Sequence, residues 1–327
     1  MKSISLFLIG LLLFSCIETK KQRTMNKKIV IAHRGASGYL PEHTIEAKAM
    51  AYAMSADFIE QDLVLSKDNI PIVIHDIYLD DVTDVALKFN ERKRKDTRFY
   101  VIDFTFDELK TLKVTERFNP KTGEQIYTNR FPKNKGNFKL HSLQEEIELI
   151  QGLNKTTGKN IGIYPEIKEP EFHKKEGKNL TEIVLKILSD YGYKTKKDRC
   201  ILQCFDAKEL ERIRKELNSE LFLVQLMEFS KETKQLEHFA TFADGIGPYY
   251  KHLLSEKVDG KFTFTTLVSD AHTLGLKVHP YTFRADALGE FSSFNEMMQT
   301  LLIDANVDGC FSDFPDLVVS FLKNNSF

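Results

Sequence analysis

KIVIAHRGASGYLPEHT occupies residues 28–44 and contains an apolar run, a polar pair, a glycine-rich turn and the start of a helix. The run Lys28–Ala32 predicts a buried strand, so His33 and Arg34 stand at its carboxyl end. Similar strand-like runs recur along the chain, and most of them are followed by a helical pattern. The later runs are 58–65 (FIEQDLVL), 71–75 (PIVIH), 161–167 (IGIYPEI), 200–205 (CILQCF), 221–227 (LFLVQLM), 245–250 (GIGPYY), 277–283 (KVHPYTF) and 308–312 (DGCFS). Their continuous apolar character predicts a parallel sheet that is covered on both faces.

The number of these units and the chain length distinguish between two α/β architectures. Eight or nine strand units within 327 residues favour a closed (β/α)8 TIM barrel over an open doubly wound sheet. No Gly-x-Gly-x-x-Gly pattern follows the first strand, which argues against the dinucleotide-binding alternative. We therefore predict a TIM barrel that spans residues 28–327.

Residues 77–140 interrupt this strand–helix rhythm after the second strand region. They carry mixed charge, the basic run 92–95 (RKRK) and the turn-rich run 119–123 (NPKTG), and they are too long for a simple loop. We interpret them as an inserted subdomain that is folded onto the barrel. The basic run could face an anionic substrate or lipid headgroups, but we favour the interpretation that it is a solvated surface.

The N-terminal residues resemble an export signal. A basic start precedes an apolar run over residues 4–14, which is too short to span a membrane. Residues 13–16 (LFSC) resemble a bacterial lipoprotein signal, in which the cysteine becomes the lipidated first residue. We predict a signal peptide over 1–15, lipidation of Cys16 and a flexible tether over 16–27, with a plain signal peptide as the alternative. The predicted location is the periplasm or cell envelope.

Composition excludes several classes of protein. Hydrophobic residues make up 42% of the chain, which rules out a mainly disordered protein. The 46 basic and 47 acidic residues leave no excess of positive charge, so no nucleic-acid partner is expected. Four cysteines are too few for a disulfide scaffold. Cys200 and Cys204 would lie about 13 Å apart on one strand, beyond the reach of a disulfide, so buried free thiols are expected.

Three acidic residues lie on predicted strands where they can share one site. Glu60 and Asp62 are two positions apart on the second strand, so both side chains point to the same side. Glu166 and Lys168 are likewise two positions apart at the end of the strand that follows the insertion. Close carboxylates need a cation or protons, and oxygen ligands without thiolates suit Ca²⁺ or Mg²⁺ rather than zinc. The less specific alternatives are solvated acids and a structural Glu166–Lys168 ion pair.

Two histidines stand at strand ends. His33 is followed by Arg34, whose guanidinium matches two oxygens of a phosphate, and His75 closes the apolar run PIVIH. Two imidazoles beside a bound cation and an arginine suit phosphodiester cleavage, because one can accept a proton while the other protonates the departing alcohol. The remaining histidines are interpreted mostly as packing or surface residues, namely His43, His141, His173, His238, His252, His272 and His279.

A set of short motifs extends over nearly the whole chain after the leader. The motifs are 33–35 (HRG), 41–44 (PEHT), 60–63 (EQDL), 75–76 (HD), 164–168 (YPEIK), 203–206 (QCFD), 243–248 (ADGIGP), 279–282 (HPYT) and 312–316 (SDFPD). In this combination they resemble the bacterial glycerophosphodiester phosphodiesterases of the periplasmic type. The resemblance implies a phospholipase-C-like TIM barrel.

The resemblance also implies roles for individual residues. It implies acid–base catalysis by His33 and His75, ligation of a divalent cation by Glu60, Asp62 and Glu166, phosphate contacts from Arg34 and Lys168, and a glycerol pocket shaped by Phe205 and Tyr281. The implied cation is Ca²⁺, with Mg²⁺ as the alternative. The implied reaction converts glycerophosphocholine, glycerophosphoethanolamine and similar diesters to glycerol 3-phosphate and an alcohol. A cyclic phosphate intermediate fits the two imidazoles, with His33 as the first base.

Two other functions are carried as alternatives. A phospholipase D-like lyase with the same barrel would act on lysolipids or sphingolipids and stop at the cyclic phosphate. A lipoprotein that binds phosphodiesters without turnover would be expected to lack one of the two imidazoles or one of the three carboxylates. All five of these side chains are present. The long insertion and the extent of the resemblance favour the hydrolase, with a small-molecule diester as substrate and membrane contact only through the predicted lipid anchor.

Overall fold

A barrel of parallel strands forms the centre of the molecule. The computed structural model describes residues 27–325. Within this range the strands are β1 (Ile29–Ala32), β2 (Phe58–Leu65), β3 (Pro71–Val73), β4 (Gly162–Ile167), β5 (Ile201–Cys204), β6 (Phe222–Met227), β7 (Gly245–Pro248), β8 (Leu254–Val258), β9 (Lys261–Phe264), β10 (Lys277–Val278) and β11 (Gly309–Ser312). The parallel strands follow the order β11, β1, β2, β4, β5, β6, β7, β10, which makes eight staves of a barrel.

Backbone hydrogen bonds bring the two ends of this order together. The amide of Asp308, just before β11, donates to the carbonyl of Val278 in β10 at 2.9 Å. Further along, the amide of Phe311 donates to Pro280 at 3.0 Å, and the amide of Phe283 donates to Phe311 at 2.8 Å. The (β/α)8 TIM barrel predicted from the strand repeat is therefore confirmed.

Helices cover the outside of the barrel, and several begin at side-chain caps. The helices are α1 (Ile45–Ala53), α2 (Val85–Lys88), α3 (Phe106–Thr111), α4 (Leu143–Thr157), α5 (Pro170–Lys175), α6 (Leu180–Asp190), α7 (Ala207–Lys215), α8 (Leu236–Phe239), α9 (Leu267–Thr273), α10 (Phe294–Met298) and α11 (Pro315–Asn324), with a π-helical segment over Gln299–Asp304. The N-cap Ser142 and Glu145 form reciprocal hydrogen bonds that start α4. The Asp206 side chain accepts two amide hydrogen bonds at the start of α7.

One strand departs from the regular repeat. β3 pairs antiparallel with β2, with Leu63 opposite Val73, so it is not one of the barrel staves. Only residues 66–70 separate β2 from β3, and a parallel connection needs a dozen or more residues. β3 also ends two residues earlier than the predicted run 71–75, at Val73. The amide of the next residue, Ile74, donates to the carbonyl of Asp62 at 2.9 Å, which brings the following His75 beside β2.

Residues 77–140 pack against the face of the β2–β3 hairpin that carries Val64 and Ile72. They contain α2, α3 and irregular segments, and their apolar side chains form one cluster with Val64 and Ile72. Leu79 and Phe104 are fully buried in this cluster. The arginines of the basic run pair with acidic groups, since Arg94 contacts Asp103 and Glu176, and the run does not line the cavity described below.

Several predictions concern the ends of the chain or single residues outside the barrel. The predicted signal peptide, the lipidated Cys16 and all of the tether except Lys27 lie outside the described residues. Cys200, Cys204 and Cys310 are buried free thiols, as expected. No helix within the described residues is both long enough and apolar enough to cross a membrane.

Candidate active site

Alternation along the strands places polar side chains next to an apolar cluster inside the barrel, toward the carboxyl ends of the strands. Inside the barrel, a small buried cluster is formed by Ile31, Phe58, Tyr164, Ile201, Val224 and Phe311. Two positions further along five of these strands stand His33, Glu60, Glu166, Gln203 and Asp313. Side chains two apart on a strand face the same side, so these groups converge at the carboxyl end of the barrel, where barrel enzymes hold their reactive groups.

The turn after β1 requires left-handed backbone. Arg34 has φ 57° and Gly35 has φ 86°. A Cβ atom at Gly35 would lie 2.9 Å from the backbone carbon and oxygen of Ala47, so this position accepts only glycine without rearrangement. The tight turn lets the Arg34 amide donate to Glu60 Oε2 at 2.5 Å and holds the guanidinium over the barrel mouth.

Both candidate catalytic histidines have one ring nitrogen bound by a carboxylate. His33 Nδ1 lies 2.5 Å from Asp313 Oδ1, and His75 Nδ1 lies 2.9 Å from Asp76 Oδ1. The two imidazoles line the same cavity of about 160 Å³. A carboxylate at Nδ1 favours the tautomer that carries its proton there, which leaves Nε2 as a lone-pair acceptor facing the substrate space.

Burial favours the neutral form of these imidazoles. Burial lowers the pKa of His33 to about 4, and the positive charge of Arg34 adds to this decrease. Burial and Arg34 likewise lower the pKa of His75 to about 4. In the absence of an anionic substrate, both rings are therefore neutral at pH 7 and can act as bases.

The three predicted carboxylates form one buried cluster. Asp62 of β2 and Glu166 of β4 are register partners on adjacent strands, and Glu60 lies on the same face of β2. Burial and the charge of Asp62 raise the pKa of Glu60 well above its usual range. Burial raises the pKa of Glu166 to about 8, and Asp62 adds to that increase. Three such groups can ionise together only if positive charge is supplied.

Part of that charge comes from Lys168. Its ammonium lies 2.8 Å from Glu166 Oε1 and 3.6 Å from Asp62 Oδ1. One ammonium does not satisfy the cluster, because Asp62 Oδ1 has no hydrogen-bond partner among the described residues although it is buried. An unpartnered buried carboxylate oxygen beside two further carboxylates fits the oxygen-rich environment of a divalent cation.

His43 also belongs to this cluster, although its sequence context indicated packing or surface. Ligand atoms of His43, Glu60 and Asp62 all lie within 4.8 Å of one another, so these residues form a possible site for a divalent cation. His43 Nε2 is 2.7 Å from Asp62 Oδ2, and burial lowers its pKa to about 3. The ring is buried behind Asp62 and does not line the cavity.

The other nitrogen of His43 contacts a buried lysine. Lys48 Nζ lies 3.2 Å from His43 Nδ1 and 3.3 Å from Glu146 Oε1, and it also donates to the carbonyl of Glu60. An ammonium can only donate hydrogen bonds, so Nδ1 accepts and Nε2 of the neutral ring carries the proton. His43 therefore donates to Asp62 and fixes the orientation of that carboxylate.

Arg34 is held by a second carboxylate that the sequence analysis did not select. Its Nη1 donates to both oxygens of Glu42, at 3.1 and 3.0 Å. Its Nε is buried and makes no hydrogen bond among the described residues, and it lies 3.7 Å from Asp62 Oδ2. Arg34 Nε is therefore a donor beside the carboxylate cluster that no described residue satisfies.

Aromatic and amide side chains complete the cavity wall. The rings of Phe205 and Tyr281 meet edge to face with their centroids 5.8 Å apart, and the Tyr281 hydroxyl donates to the carbonyl of Met227 at 3.0 Å. Gln203 Oε1 is buried without a hydrogen-bond partner among the described residues, and Arg284 lines the wall beside His33. The cavity wall therefore combines aromatic rings with polar groups, of which Gln203 Oε1 is unpartnered among the described residues.

Comparison with known proteins explains this collection of side chains. Residues 33–317 match the glycerophosphoryl diester phosphodiesterase family. The chain belongs to this family. The match confirms the resemblance drawn from the sequence motifs, and it confirms the prediction of an enzyme of the glycerophosphodiester phosphodiesterase type.

Relatives of the family extend over most of the chain. The glycerophosphodiester phosphodiesterase of Haemophilus influenzae is 46% identical, with 90% of each chain covered. That of Treponema pallidum is 38% identical and covers 91% of this chain and 92% of its own. A solved phosphodiesterase of Oleispira antarctica, in complex with the product sn-glycerol-3-phosphate, shares the fold with a TM-score of 0.62, 22% identity, and coverage of 90% of this chain and 96% of its own.

The structure brings the residues selected from the sequence to one place. Eight of them line the cavity, namely His33, Arg34, Glu60, His75, Glu166, Lys168, Phe205 and Tyr281. Asp62 lies directly behind, in contact with His43 and near Lys168. The sequence analysis did not select Glu42, His43, Gln203, Arg284 or Asp313, although the first two belong to the motif PEHT and all but Arg284 lie in motifs of the resemblance.

Proposed function

We propose that the protein hydrolyses glycerophosphodiesters to sn-glycerol 3-phosphate and an alcohol. The observation that carries this proposal is the shared cavity of His33 and His75, each held at Nδ1 by a carboxylate, above the cluster of three carboxylates. The relatives from Haemophilus and Treponema bear the name of this activity. The product in the Oleispira structure is the phosphorylated half that this cleavage would release.

Glu60, Asp62 and Glu166 are the proposed ligands of one divalent cation. All three offer carboxylate oxygens, which favours Ca²⁺, with Mg²⁺ as the alternative. The proton that His43 donates to Asp62 makes His43 an orienting partner of a ligand rather than a ligand. When bound, such a cation neutralises negative charge on phosphate oxygens and acidifies a coordinated hydroxyl.

The two cationic side chains are positioned to hold the phosphate. Arg34 is oriented through Nη1 by Glu42, and Lys168 is shared between Glu166 and Asp62. Both line the cavity together with the imidazoles. A bound phosphate therefore meets positive charge on one side and the two proton-transfer groups within the same space.

Two imidazoles support cleavage in two balanced steps. His33 Nε2 accepts the proton of the neighbouring glycerol hydroxyl as that oxygen attacks phosphorus, and His75 donates a proton to the departing alcohol oxygen. Water then opens the cyclic phosphate, giving its proton to His75, while His33 returns its proton to the glycerol oxygen. The negative charge of the bound phosphate raises imidazole pKa values, which is the direction that the acid role requires.

A wider cleft of about 380 Å³ adjoins the cavity and shares Lys168, Phe205 and Tyr281 with it. Its lining favours a positively charged leaving alcohol. Beyond Lys168 the cleft is lined by the acidic residues Glu169, Glu171, Asp206 and Glu228. Phe205 and Tyr281 form its aromatic side, and aromatic faces attract ammonium groups. Glycerophosphocholine and glycerophosphoethanolamine fit this surface better than diesters with anionic alcohols.

The location of the enzyme is also part of the proposal. The lipoprotein-like segment ending at Cys16 supports export and attachment to a membrane of the cell envelope by a lipid anchor. This placement would expose the enzyme to diesters outside the cytoplasm. Metabolic labelling with a radioactive fatty acid should label the wild-type protein and not the variant Cys16→Ala; equal labelling of both would contradict the anchor.

Phosphorus NMR of the purified protein with glycerophosphocholine tests the reaction. We expect the diester signal to be replaced by that of glycerol 3-phosphate, with the cyclic phosphate absent at the end of the reaction. Accumulation of the cyclic phosphate would instead indicate the lyase, and an unchanged diester would indicate a binding protein. Either of these two results would overturn the proposed hydrolysis.

A further inference from the structure

We propose that the insertion, residues 77–140, is a functional part of the active site because its Arg117 and Arg130 position the two catalytic imidazoles. This inference rests on the proposed two-histidine function. Each histidine is bound by a carboxylate, and the far oxygen of each carboxylate accepts from one of these arginines. On the His33 side, Asp313 Oδ2 also accepts from Arg284 Nε of the barrel at 2.8 Å. The two halves of the site are thus built on the same plan, although their residues come from distant parts of the chain.

Arg117 connects His75 to the phosphate-binding arginine. Its Nη1 donates to Asp76 Oδ2 at 2.7 Å, and Asp76 Oδ1 meets His75 Nδ1 at 2.9 Å. Its Nε and Nη2 donate to the two oxygens of Glu42, at 3.0 and 2.6 Å. Glu42 in turn accepts from the Arg34 guanidinium. One side chain from the insertion therefore fixes the supports of both His75 and Arg34.

Arg130 has the corresponding place beside His33. Its Nη2 donates to Asp313 Oδ2 at 2.6 Å, while Asp313 Oδ1 meets His33 Nδ1 at 2.5 Å. Its position is fixed from the other side by a two-point contact with Asp286 at 2.7 and 3.0 Å and by the carbonyl of Ser37. The side chain is only 4% exposed, so these contacts are protected from water.

The arginines act on the imidazoles through the carboxylates. A carboxylate that accepts at one oxygen from a planar guanidinium loses its freedom to rotate, so its second oxygen stays where the ring nitrogen needs it. The ring then keeps both its orientation and its tautomer. Neither Arg117 nor Arg130 lines the cavity, so their proposed role is positioning rather than contact with substrate.

The insertion supplies a matched control. Arg94 also forms a two-carboxylate contact, with Asp103 of the insertion and Glu176 of the barrel, at 2.7 and 2.6 Å. It therefore links the insertion to the barrel as Arg117 does, but it touches no carboxylate that holds a catalytic histidine. Loss of Arg94 reports the structural effect of an ion pair between insertion and barrel.

The experiment compares Arg117→Gln, Arg130→Gln and Arg94→Gln in the full chain with glycerophosphocholine as substrate. We expect kcat to fall about 10-fold or more in the first two variants, because aligned catalytic groups are lost. KM should stay nearly unchanged in Arg130→Gln and rise in Arg117→Gln, because only Arg117 also supports Arg34 through Glu42. Arg94→Gln should keep kcat within about twofold of wild type. Guanidinium ion should restore part of the activity that Arg117→Ala loses. It should leave the activity of an Arg94→Ala control unchanged.

Imidazole tautomers provide a readout that does not need turnover. Long-range proton–nitrogen NMR of histidine-labelled protein should show the Nδ1–H form for His33 and His75 in wild type. Arg130→Gln should shift only His33, and Arg117→Gln only His75, toward the other tautomer. Equal kcat in all three variants, a rise in KM alone, or tautomers that do not change would overturn the proposal. If wild type lacks activity while the tautomers shift as described, the proposed function fails and the positioning role stands.

Discussion

Lys48 is fully buried beneath the candidate active site, and its replacement by methionine should destabilise the protein strongly. The side chains of Lys48 and Glu146 are both 0% exposed and their charged atoms are 3.3 Å apart. Lys48 also donates to the Glu60 carbonyl and to His43 Nδ1. Methionine has a similar length without the charge, so Lys48→Met removes the interactions while largely preserving the packing.

The magnitude follows from the charge that is left behind. Breaking a buried ion pair by removing one partner typically costs about 3–5 kcal/mol, because the other charge stays buried and uncompensated. Gln61 and His141 still contact Glu146, at 2.7 Å each, so we expect a loss near the lower end, about 3 kcal/mol. Neutralising Glu146 as well, in Lys48→Met/Glu146→Gln, should recover part of this loss.

Denaturant unfolding followed by circular dichroism measures the change in the free energy of unfolding. The control is Lys186→Met, which removes an exposed pair with Asp190 and should change stability by less than about 0.5 kcal/mol. A loss below about 1 kcal/mol in Lys48→Met would refute the reasoning, since it would mean that the buried charge is compensated in another way. A double variant that is less stable than the single one would refute it too.

Three further outcomes are expected. Gly35→Ala should unfold more easily by about 1–2 kcal/mol and lose activity, because φ is 86° and the new Cβ would press on the backbone of Ala47; a thermal melt equal to wild type would contradict this. Burial opposes ionisation of the Glu209 carboxyl, but hydrogen bonds from Arg212 and Lys174 outweigh this effect and lower its pKa to about 2. Its contribution, on the order of 2–3 kcal/mol, should be present above about pH 4.5 and be lost as the pH falls toward 2, so a pH-independent difference in stability between wild type and Glu209→Gln would contradict it. His33→Ala and His75→Ala should each abolish turnover while circular dichroism stays native, and full activity in either variant would remove that histidine from the mechanism.

The residues that could be predicted from the sequence are those governed by strand alternation. Glu60 and Asp62 share a face because they are two apart on a strand, and that face is the barrel interior. His33 could be placed because its apolar strand stops there. These inferences use only local geometry, which the side-chain pattern reports directly.

The residues that could not be predicted depend on contacts between distant segments. Asp313 reaches His33 because β11 pairs with β1, with Ser312 opposite Ala32, and that register follows from closing the whole barrel. His43 turns inward because left-handed backbone at Arg34 and at His43 itself folds the loop back onto β2, and a single histidine in a loop gives no periodic signal of this.

The insertion makes further contacts between distant segments that the local sequence does not predict. Arg117 and Arg130 lie in irregular segments without hydrophobic periodicity, so nothing in their sequence context indicates that they reach the carboxylates beside His33 and His75. The basic run 92–95 is the more conspicuous feature of the insertion in the sequence, yet Arg94 forms ion pairs away from the cavity.

Calcium titration by isothermal calorimetry tests the central claim, which is that Glu60, Asp62 and Glu166 hold one divalent cation. We expect wild-type protein, freed of metal by chelator, to bind one Ca²⁺ and regain activity. Glu166→Gln should lose this binding, while His33→Ala should keep it. Unchanged calcium binding by Glu166→Gln, or activity that is indifferent to the chelator, would contradict the account.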